Sequence, residues 1–331
     1  MALRLTSMIK AAAVNSLTSD FSSVEIIELE RKSLMPNEIR VKIEAASVNF
    51  PDLLMIEGLY QYKPDTPFIL GMEASGRIIE VGSAVVSFGV DDHVIVSGKT
   101  GSFAEEIIVY EDSIRIKPGS LSWEQAASFT VAYLTAYVAL VCRSNIKSAE
   151  SLLVHGAAGG VGLAAVDLGL HYGANVIATS ASSTKRDFLS SYGAHYVLPA
   201  SGFKDKVKEF TNGYGADIIY DPVGGDVFDE SVRCIGWNGR LLIIGFTSGR
   251  IPTVGVNMPL IKGFSVVGVR GGEYGRRDPE MGRKNLEAID KLASDKKLNP
   301  HIHKIYPLER TIDALNELRN RTVIGKVCIK P

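Results

Sequence analysis

The chain has 331 residues, of which 46% are hydrophobic and 22% are charged. This composition is typical of a protein in water that is large enough to form two packed domains. The formal net charge is −1 with acids and bases interspersed, so no basic surface is evident that would neutralise a nucleic-acid backbone. No apolar stretch approaches the roughly 20 residues that a membrane-spanning helix requires. We therefore expect neither nucleic acid nor a membrane as a partner.

Cysteine usage and the opening segment bear on the compartment. The three cysteines, Cys142, Cys234 and Cys328, lie far apart and form no C-x-x-C pair. An odd, widely spaced set favours reduced thiols in the cytoplasm. The first residues are short of acids, as targeting peptides are, yet MIKAAAV is equally typical of a first strand, and we favour the strand.

Two regions differ in their pattern of apolar residues. Residues 1–124 carry short β-like segments between turn residues, namely IRVKIEAASV, SGRIIEVG, DDHVIVSG, SFAEEIIVY and SIRIKP. Residues 125–269 alternate strands with helical segments, and the strands are LLVHG, NVIATS, HYVLP, ADIIYD, GRLLIIG and FSVVGV. Six such strands predict an α/β domain with a doubly wound parallel sheet.

The last part of the chain is expected to rejoin the first region. A glycine-rich loop, RGGEYGRRDP, is followed by a helical run, a strand IHKIYP, a helix LERTIDALNELRN and a strand KVCIKP. The mostly β domain then comprises residues 1–124 and 270–331, and the parallel sheet occupies residues 125–269.

A glycine cluster in HGAAGGVG falls at the first strand-to-helix turn of the predicted sheet. At this place a dinucleotide pyrophosphate meets backbone amides at a helix N-terminus, and glycines allow the phosphates to approach. The spelling departs from strict G-x-G-x-x-G, and a glycine-rich turn can simply tighten a βα unit. Five further strands at βαβ spacing favour cofactor binding. The candidate contacts are Gly156, Ala157, Gly159, Gly160, Val161 and Gly162.

The second strand of this sheet ends without the acid that normally binds the ribose hydroxyls of NAD. Hydroxyl groups and two bases follow instead, in TSASSTKR. These side chains suit a 2′-phosphate, which a carboxylate would repel, so the cofactor predicted is NADP(H). The alternative is that the bases begin a solvated helix. The candidate contacts are Thr179, Ser180, Ser182, Ser183, Lys185 and Arg186.

With these motifs the chain resembles the medium-chain dehydrogenase/reductase superfamily, and within it the zinc-free quinone oxidoreductase branch that includes zeta-crystallin. The resemblance covers nearly the whole chain. Besides HGAAGGVG, it rests on ASVNFPDLLMIEGLYQYKPDTPFILGMEASG, GSFAEEIIV, LTAY and YDPVGG. It implies a six-stranded Rossmann sheet together with a mostly β, GroES-like catalytic domain.

The resemblance also directs attention to metal ligands. Zinc-dependent relatives carry a cysteine and a histidine where this chain has Asn49 and Met72. An amide and a thioether are poor ligands for zinc, which prefers Cys, His, Asp and Glu. His301 and His303 lack a third partner and are expected to be surface residues. We predict no metal, which makes zinc alcohol dehydrogenase chemistry unfavourable.

Without a metal, hydride delivery from NADPH requires an acceptor that is already electrophilic, such as a quinone or an enone. The resemblance implies that Asn49 of NFPD and Tyr60 of GLY lie near the nicotinamide. Tyr60 would donate a hydrogen bond or relay a proton, and Asn49 would orient substrate or cofactor. Tyr60 as a packing residue is the alternative. For Asp52, also a catalytic candidate, we favour capping a helix after Pro51 or pairing with a base.

Weaker expectations come from the same resemblance. Thr135 of LTAY matches a threonine on the nicotinamide side, with a buried helical threonine as the alternative. Gly245 and Phe246 follow the fifth strand, where strand ends of an open α/β sheet face the ligand. Arg321 matches a basic position near the NADP phosphate.

The remaining expectations concern other possible functions and the oligomeric state of the protein. The basic segment 270–284 favours a solvated helix start, but it would also suit an acyl coenzyme A thioester, which makes the enzyme an enoyl thioester reductase. Relatives of zeta-crystallin also serve as lens proteins or bind RNA, so a non-catalytic NADPH-binding protein stays open. FSVVGV is expected to be an edge strand, and pairing through Ser265 to Val269 predicts a homodimer.

Overall fold

The computed structural model describes residues 8–331, which divide into two units. Of these residues, the first unit comprises those up to Thr130 together with Pro300–Pro331, and the second is Val131–Asn299. Each unit has its own hydrophobic core. Within residues 8–331 no helix is long and apolar enough to cross a membrane.

The first unit begins with eight strands and two short helices. In chain order they are β1 (Met8–Val14), β2 (Val24–Glu30), β3 (Ile39–Ser47), α1 (Phe50–Ile56), β4 (Phe68–Ile69), β5 (Glu73–Val81), β6 (His93–Ser97), β7 (Glu106–Val109), β8 (Ile114–Ile116) and α2 (Trp123–Ala127). The segment MIKAAAV is a strand, as predicted, and its last four side chains are fully buried.

The second unit alternates strands and helices. Its elements are α3 (Thr130–Tyr137), which continues as a π-helix over Val138–Arg143, β9 (Ser151–Val154), α4 (Gly160–His171), β10 (Asn175–Thr179), α5 (Ser183–Tyr192), β11 (Tyr196–Leu198), α6 (Lys204–Phe210), β12 (Ala216–Asp221), α7 (Gly225–Ser231), β13 (Ile235–Ile243), α8 (Asn257–Lys262), β14 (Ser265–Gly268), α9 (Gly271–Arg277) and α10 (Pro279–Ser294).

The sheet of the second unit confirms the predicted α/β class. Its six strands run in the order β11-β10-β9-β12-β13-β14, and all neighbouring pairs are parallel. β9 and β12 are central and carry apolar side chains on both faces, whereas β14 is an edge strand. Ligands of such sheets bind at the carboxyl ends of the strands, where the order reverses beside the first strand.

The chain then returns to the first unit through β15 (Ile302–Pro307), α11 (Thr311–Arg319) and β16 (Lys326–Lys330). A seven-stranded sheet has the order β15-β16-β3-β5-β6-β8, with β7 also paired to β3, and a smaller sheet has the order β2-β1-β4. The predicted closing strands are therefore confirmed, and β16 pairs antiparallel with β3.

Residues 270–299 depart from the predicted domain boundary, since they lie with the second unit. The segment predicted as a glycine-rich loop is the helix α9. Charged side chains stabilise this helix, because Arg276 and Arg277 form ion pairs with Glu273, which lies three and four residues earlier in the chain. Gly271 allows close packing on α3, because a Cβ there would lie 2.9 Å from the Cα of Thr135.

Candidate functional site

The turn between β9 and α4 has the geometry of an anion site. Gly156 adopts a left-handed conformation, with φ of 54°. A Cβ on Gly162 would lie 2.3 Å from the carbonyl oxygen of Gly156, so only glycine fits there. Gly159 is the N-cap and has no side chain to accept from the helix. The first amides of this 12-residue helix are left for an anionic group.

The loop after β10 presents the predicted hydroxyls and bases. Ser182 caps α5, since its Oγ accepts from the amide of Lys185 at 3.4 Å. Arg186 donates from Nη1 to the carbonyls of Ser180 and Ala181, at 3.0 and 2.9 Å. These bonds fix the guanidinium over the loop, and they use one of its three nitrogens. Ser183 is exposed at the helix start, and Ser180 is buried.

Thr179 is placed differently from the other candidates. Its side chain is fully buried, and Oγ1 lies 2.9 Å from Nδ1 of His155. The other ring nitrogen, Nε2, lies 2.8 Å from Oγ of Ser231, whose own hydrogen goes to the carbonyl of Val227 at 2.7 Å. His155 therefore carries its hydrogen on Nε2, and burial lowers its pKa to about 3. The Thr179 hydroxyl therefore takes part in a buried hydrogen bond with His155.

The remaining cofactor candidates lie in both units. In the second unit, Thr135 is half-buried on α3, and Gly245 and Phe246 follow β13 at the carboxyl end of the sheet, as predicted. In the first unit, Arg321 is exposed after α11, with φ of 57°. Their contacts with a cofactor stay predictions.

A buried polar cluster surrounds Asn49 in the first unit. The Nδ2 of Asn49 donates to Oε1 of Glu73 at 3.0 Å and to the carbonyl of Ser47 at 3.2 Å. Lys326 donates from Nζ to Oδ1 of Asn49 at 2.6 Å and to Oε1 of Glu73 at 3.1 Å. Glu73 is fully buried, and Asn49 and Lys326 are 5% and 7% exposed. We call Asn49, Asp52, Glu73 and Lys326 the Asn49 cluster.

Sequence reasoning missed two members of the Asn49 cluster, Glu73 and Lys326. Each is a charged residue at the first position of a strand whose next residues are buried, in EASGRIIEV and KVCIK. A charge that a strand carries into the interior needs a partner. That local signal was available in the sequence, although the identity of the partner was not.

Asp52 joins the same cluster through the start of α1. Its Oδ2 accepts from the backbone amide of Asn49 at 2.8 Å, so Asp52 closes a capping box from inside α1, which begins at Phe50 rather than after Pro51 as expected. Burial raises the pKa of Asp52 to about 7, although the Asn49 amide and the Lys326 charge act in the opposite direction. Glu73 and Lys326 already form an ion pair, so a second carboxylate there would be uncompensated. A catalytic role for Asp52 stays a prediction.

Tyr60 lies just beyond α1. Its backbone amide donates to the carbonyl of Leu54 at 3.2 Å, and the ring is half-buried. Tyr60 and Met72 both pack against the hydrophobic core of the first unit. Packing and hydrogen bonding are compatible in a tyrosine, because one end of the side chain is apolar and the other polar.

Comparison with known proteins identifies the family. Residues 35–118 match the model of the alcohol dehydrogenase GroES-like domain, and residues 160–290 match the model of the zinc-binding dehydrogenase. The chain is 37% identical over 303 residues to quinone oxidoreductase-like protein 2 homolog of Nematostella vectensis, covering 90% of this chain and 83% of that protein. The protein belongs to the medium-chain dehydrogenase/reductase superfamily.

Solved structures of superfamily members superpose on nearly the whole chain. The quinone oxidoreductase of Escherichia coli, complexed with NADPH, has a TM-score of 0.88 at 27% identity, covering 97% of this chain and all of that one. The JamJ enoyl reductase has a TM-score of 0.86 at 26% identity, covering 98% and 99%. The predicted combination of a GroES-like domain with a Rossmann sheet is thereby confirmed, and the family binds NAD(P)H.

The name of the second family model implies zinc, which the Asn49 cluster does not fit. Within the described part of the chain, no group of three or more His, Cys, Asp and Glu side chains is arranged to hold a metal. Lys326 holds the only side-chain oxygen of Asn49 and one oxygen of Glu73, so its ammonium would repel a divalent cation. His301 and His303 are half-buried.

Proposed function

We propose that this protein is an NADPH-dependent reductase that transfers hydride to a quinone or to an α,β-unsaturated carbonyl compound without a metal. The observation that carries the proposal is the set of residues at the end of β10 and in the loop and helix that follow it. The strand ends at Thr179 and Ser180 follows, with no acid, and the next helix begins with Ser183 and places Arg186 over the loop. That arrangement suits the 2′-phosphate of NADP(H).

The protein's own groups would bind and orient. Gly156 to Gly162 and the start of α4 would hold the pyrophosphate, and Ser180, Ser182 and Arg186 the adenosine phosphate. The cofactor supplies the hydride when bound. In the first unit, the Tyr60 hydroxyl is the candidate donor to the acceptor oxygen, where negative charge develops. The Asn49 amide is the candidate for orienting the acceptor or the nicotinamide.

Cofactor choice is tested by nucleotide titration. Fluorescence titrations with NADPH and NADH should give a lower Kd for NADPH. Replacement of both Lys185 and Arg186 by Ala should raise the NADPH Kd about tenfold or more and leave NADH within twofold, because each charge-assisted hydrogen bond is worth roughly 1.5–3 kcal/mol. Lys206→Ala, at an exposed lysine of the same unit, is the control. Equal loss for both nucleotides would contradict the assignment.

Turnover is tested by mixing the protein with NADPH and 9,10-phenanthrenequinone or a small enone, and following loss of absorbance at the nicotinamide band. Metal analysis of the same sample should show substoichiometric zinc, and a chelator should leave the rate unchanged. NADPH binding without acceptor-dependent oxidation would instead favour a non-catalytic binding protein. Stoichiometric, tightly bound zinc would overturn the proposed chemistry.

A second candidate is an enoyl thioester reductase, with the same hydride chemistry on an acyl coenzyme A substrate. The favouring observation is an excess of positive charge on α9, where Arg270, Arg276 and Arg277 share the one carboxylate of Glu273. An Arg276→Ala/Arg277→Ala variant should then raise KM for a crotonyl thioester of coenzyme A and leave KM for a small enone unchanged. Lys291→Ala, at an exposed lysine of α10 outside the basic segment, is the control.

We also propose a homodimer in the cytoplasm. β14 is an edge strand whose Ser265, Val266 and Gly268 are exposed, and pairing with a second copy would satisfy that edge. Apolar side chains of the same unit are exposed as well, among them Trp237 and Leu260. Sedimentation at micromolar concentration should show a dimer, and a monomer would refute it.

The three cysteines are free thiols, which suits a reducing compartment.

A further inference from the structure

The hydrogen-bonding capacity of the Asn49 side chain is almost fully used inside the protein. Both hydrogens of Nδ2 are donated, one to Glu73 and one to the carbonyl of Ser47. Oδ1 accepts from Lys326, and the capping box of α1 also brings the backbone amide of Asp52 to this side chain. Asn49 therefore has no donor left for a bound molecule unless one of these bonds breaks, and only its oxygen can contact one.

The chemistry of the three partners fixes the orientation of this amide. The ammonium of Lys326 only donates, so the atom facing it is the oxygen. The Glu73 carboxylate and the Ser47 carbonyl only accept, so the atom facing them is the nitrogen. A rotated amide would oppose donor to donor and acceptor to acceptor in a buried site, where unsatisfied polar groups are costly.

Strand register places Lys326 against Asn49. β16 pairs antiparallel with β3, with Cys328 opposite Ser47, and the amide of Val48 donates to the carbonyl of Val327 at 3.0 Å. Extending this register by one more pair puts Asn49 opposite Lys326. Side chains of directly opposed residues lie close together on one face of a sheet. The lysine thus reaches Asn49 by backbone pairing.

We propose that Lys326 is a positioning residue of the acceptor site: its ammonium, neutralised by Glu73, holds the Asn49 amide so that Asn49 serves the reaction as a hydrogen-bond acceptor only. This inference rests on the proposed function. It assigns to Lys326 a positive charge in the place where zinc-dependent chemistry would use a metal. It also excludes Asn49 as a donor to the acceptor oxygen and leaves that task to Tyr60.

Stability alone is a weak reason for such a pair. A buried ion pair often contributes no more than apolar residues of similar volume, whereas removal of one partner leaves an uncompensated charge. A single Lys326→Met variant would therefore lose stability whatever its role in the reaction. The double variant Lys326→Met/Glu73→Gln removes both charges and keeps an acceptor at position 73 for Nδ2 of Asn49. That variant lacks the ammonium that holds Oδ1 in the wild type.

The experiment compares the wild type with this double variant. We expect the double variant to fold with a melting temperature close to that of the wild type and to bind NADPH with a Kd within twofold. We expect kcat with phenanthrenequinone or a small enone to fall at least tenfold. In 15N NMR spectra, with Asn49→Ala used for assignment, the side-chain amide hydrogens of Asn49 should exchange slowly in the wild type and rapidly in the double variant.

The outcomes separate this inference from the proposed function. A double variant with wild-type kcat, or with slow exchange at the Asn49 side chain, would show that Lys326 does not position the amide. A wild-type protein that oxidises no NADPH with any acceptor would refute the proposed function, and the reaction role of Lys326 would fall with it. The first failure is read in the variant and the second in the wild type.

Discussion

The ionisation of Asp52 provides a direct test of the Asn49 cluster. Burial raises the pKa of this carboxyl from 3.8 to about 7, against the Asn49 amide and the Lys326 charge. The native protein therefore binds a proton at Asp52 that the unfolded chain has released above pH 3.8. Replacement by Asn removes the ionisation and keeps a side-chain oxygen that can accept from the Asn49 amide.

The magnitude follows from proton linkage. Because the native state binds more protons between the two pKa values, the contribution of Asp52 to stability is fully present below pH 3.8 and is lost as pH rises through 7. For pKa values of 3.8 and about 7, the free energy of unfolding of the wild type should fall by about 2.5 kcal/mol from this group between pH 5 and pH 8. The Asp52→Asn variant should lack this loss.

The free energies of unfolding of the wild type and of Asp52→Asn must be subtracted, because His155 changes stability with pH in the opposite direction. Burial lowers the pKa of His155 from 6.5 to about 3, so its contribution is present above pH 6.5 and is lost as pH falls toward 3. Between pH 5 and pH 7 the two groups change stability by similar amounts with opposite signs. In a wild-type profile alone these two contributions would largely cancel over that interval.

The assay is urea unfolding at pH 5, 6, 7 and 8, followed by tryptophan fluorescence. The chain has two tryptophans, Trp123 in the first unit and Trp237 in the second. A Trp237→Phe background therefore makes fluorescence report the unit that holds Asp52. Any loss of stability caused by the amide of Asp52→Asn itself is independent of pH. The ionisation of Asp52 is therefore reported by how the difference in free energy of unfolding between the two proteins changes with pH.

The refuting result is equally defined. If the stabilities of the wild type and Asp52→Asn change in parallel from pH 5 to pH 8, Asp52 is ionised in the native state throughout. Burial beside the Glu73 and Lys326 pair would then not disfavour a second carboxylate, and our description of the cluster's charge balance would be wrong.

Three further predictions concern the second unit. Gly162→Ala should weaken NADPH binding at least tenfold in titrations, because its Cβ would meet a carbonyl oxygen 2.3 Å away; Gly268→Ala, with open space around it, should not. His155→Ala should lower the free energy of unfolding by about 3 kcal/mol at pH 7, and by about 2 kcal/mol less at pH 5, as Trp237 fluorescence would report. Val266→Asp on the edge strand should give monomers on sedimentation, whereas Val86→Asp, at an exposed valine of the first unit, should not.

The Rossmann sheet was predictable because its information is local. Each strand is a short apolar run between turn residues, and the glycines of HGAAGGVG occur where the chain must turn tightly and approach closely. Such signals need no knowledge of distant partners. The exit of β10 is similar, since the absence of an acid after Thr179 is read from one short segment.

The segment 270–299 shows where local signals mislead. Four glycines between residues 271 and 282 indicate a loop, because glycine disfavours helices. The structure has helices there because tertiary packing overrides propensity: Gly275 and Gly282 let α9 and α10 approach closely, with the Cβ that Gly282 lacks only 2.7 Å from the Cα of Gly275. A glycine that serves packing cannot be distinguished by composition from one that breaks a helix.

The Asn49 cluster could not be predicted from the sequence for a different reason. Asn49 and Lys326 are separated by 277 positions, and only the pairing of β16 with β3 brings them together. Periodicity can place Lys326 on a strand, but it does not give the register, and a shift of one residue would turn this side chain to the opposite face. The residue types at Asn49 and Met72 argue against zinc from the sequence alone. A lysine paired with a buried glutamate lies beside Asn49 instead, and this follows only from the register of β16 and of β5 on the two sides of β3.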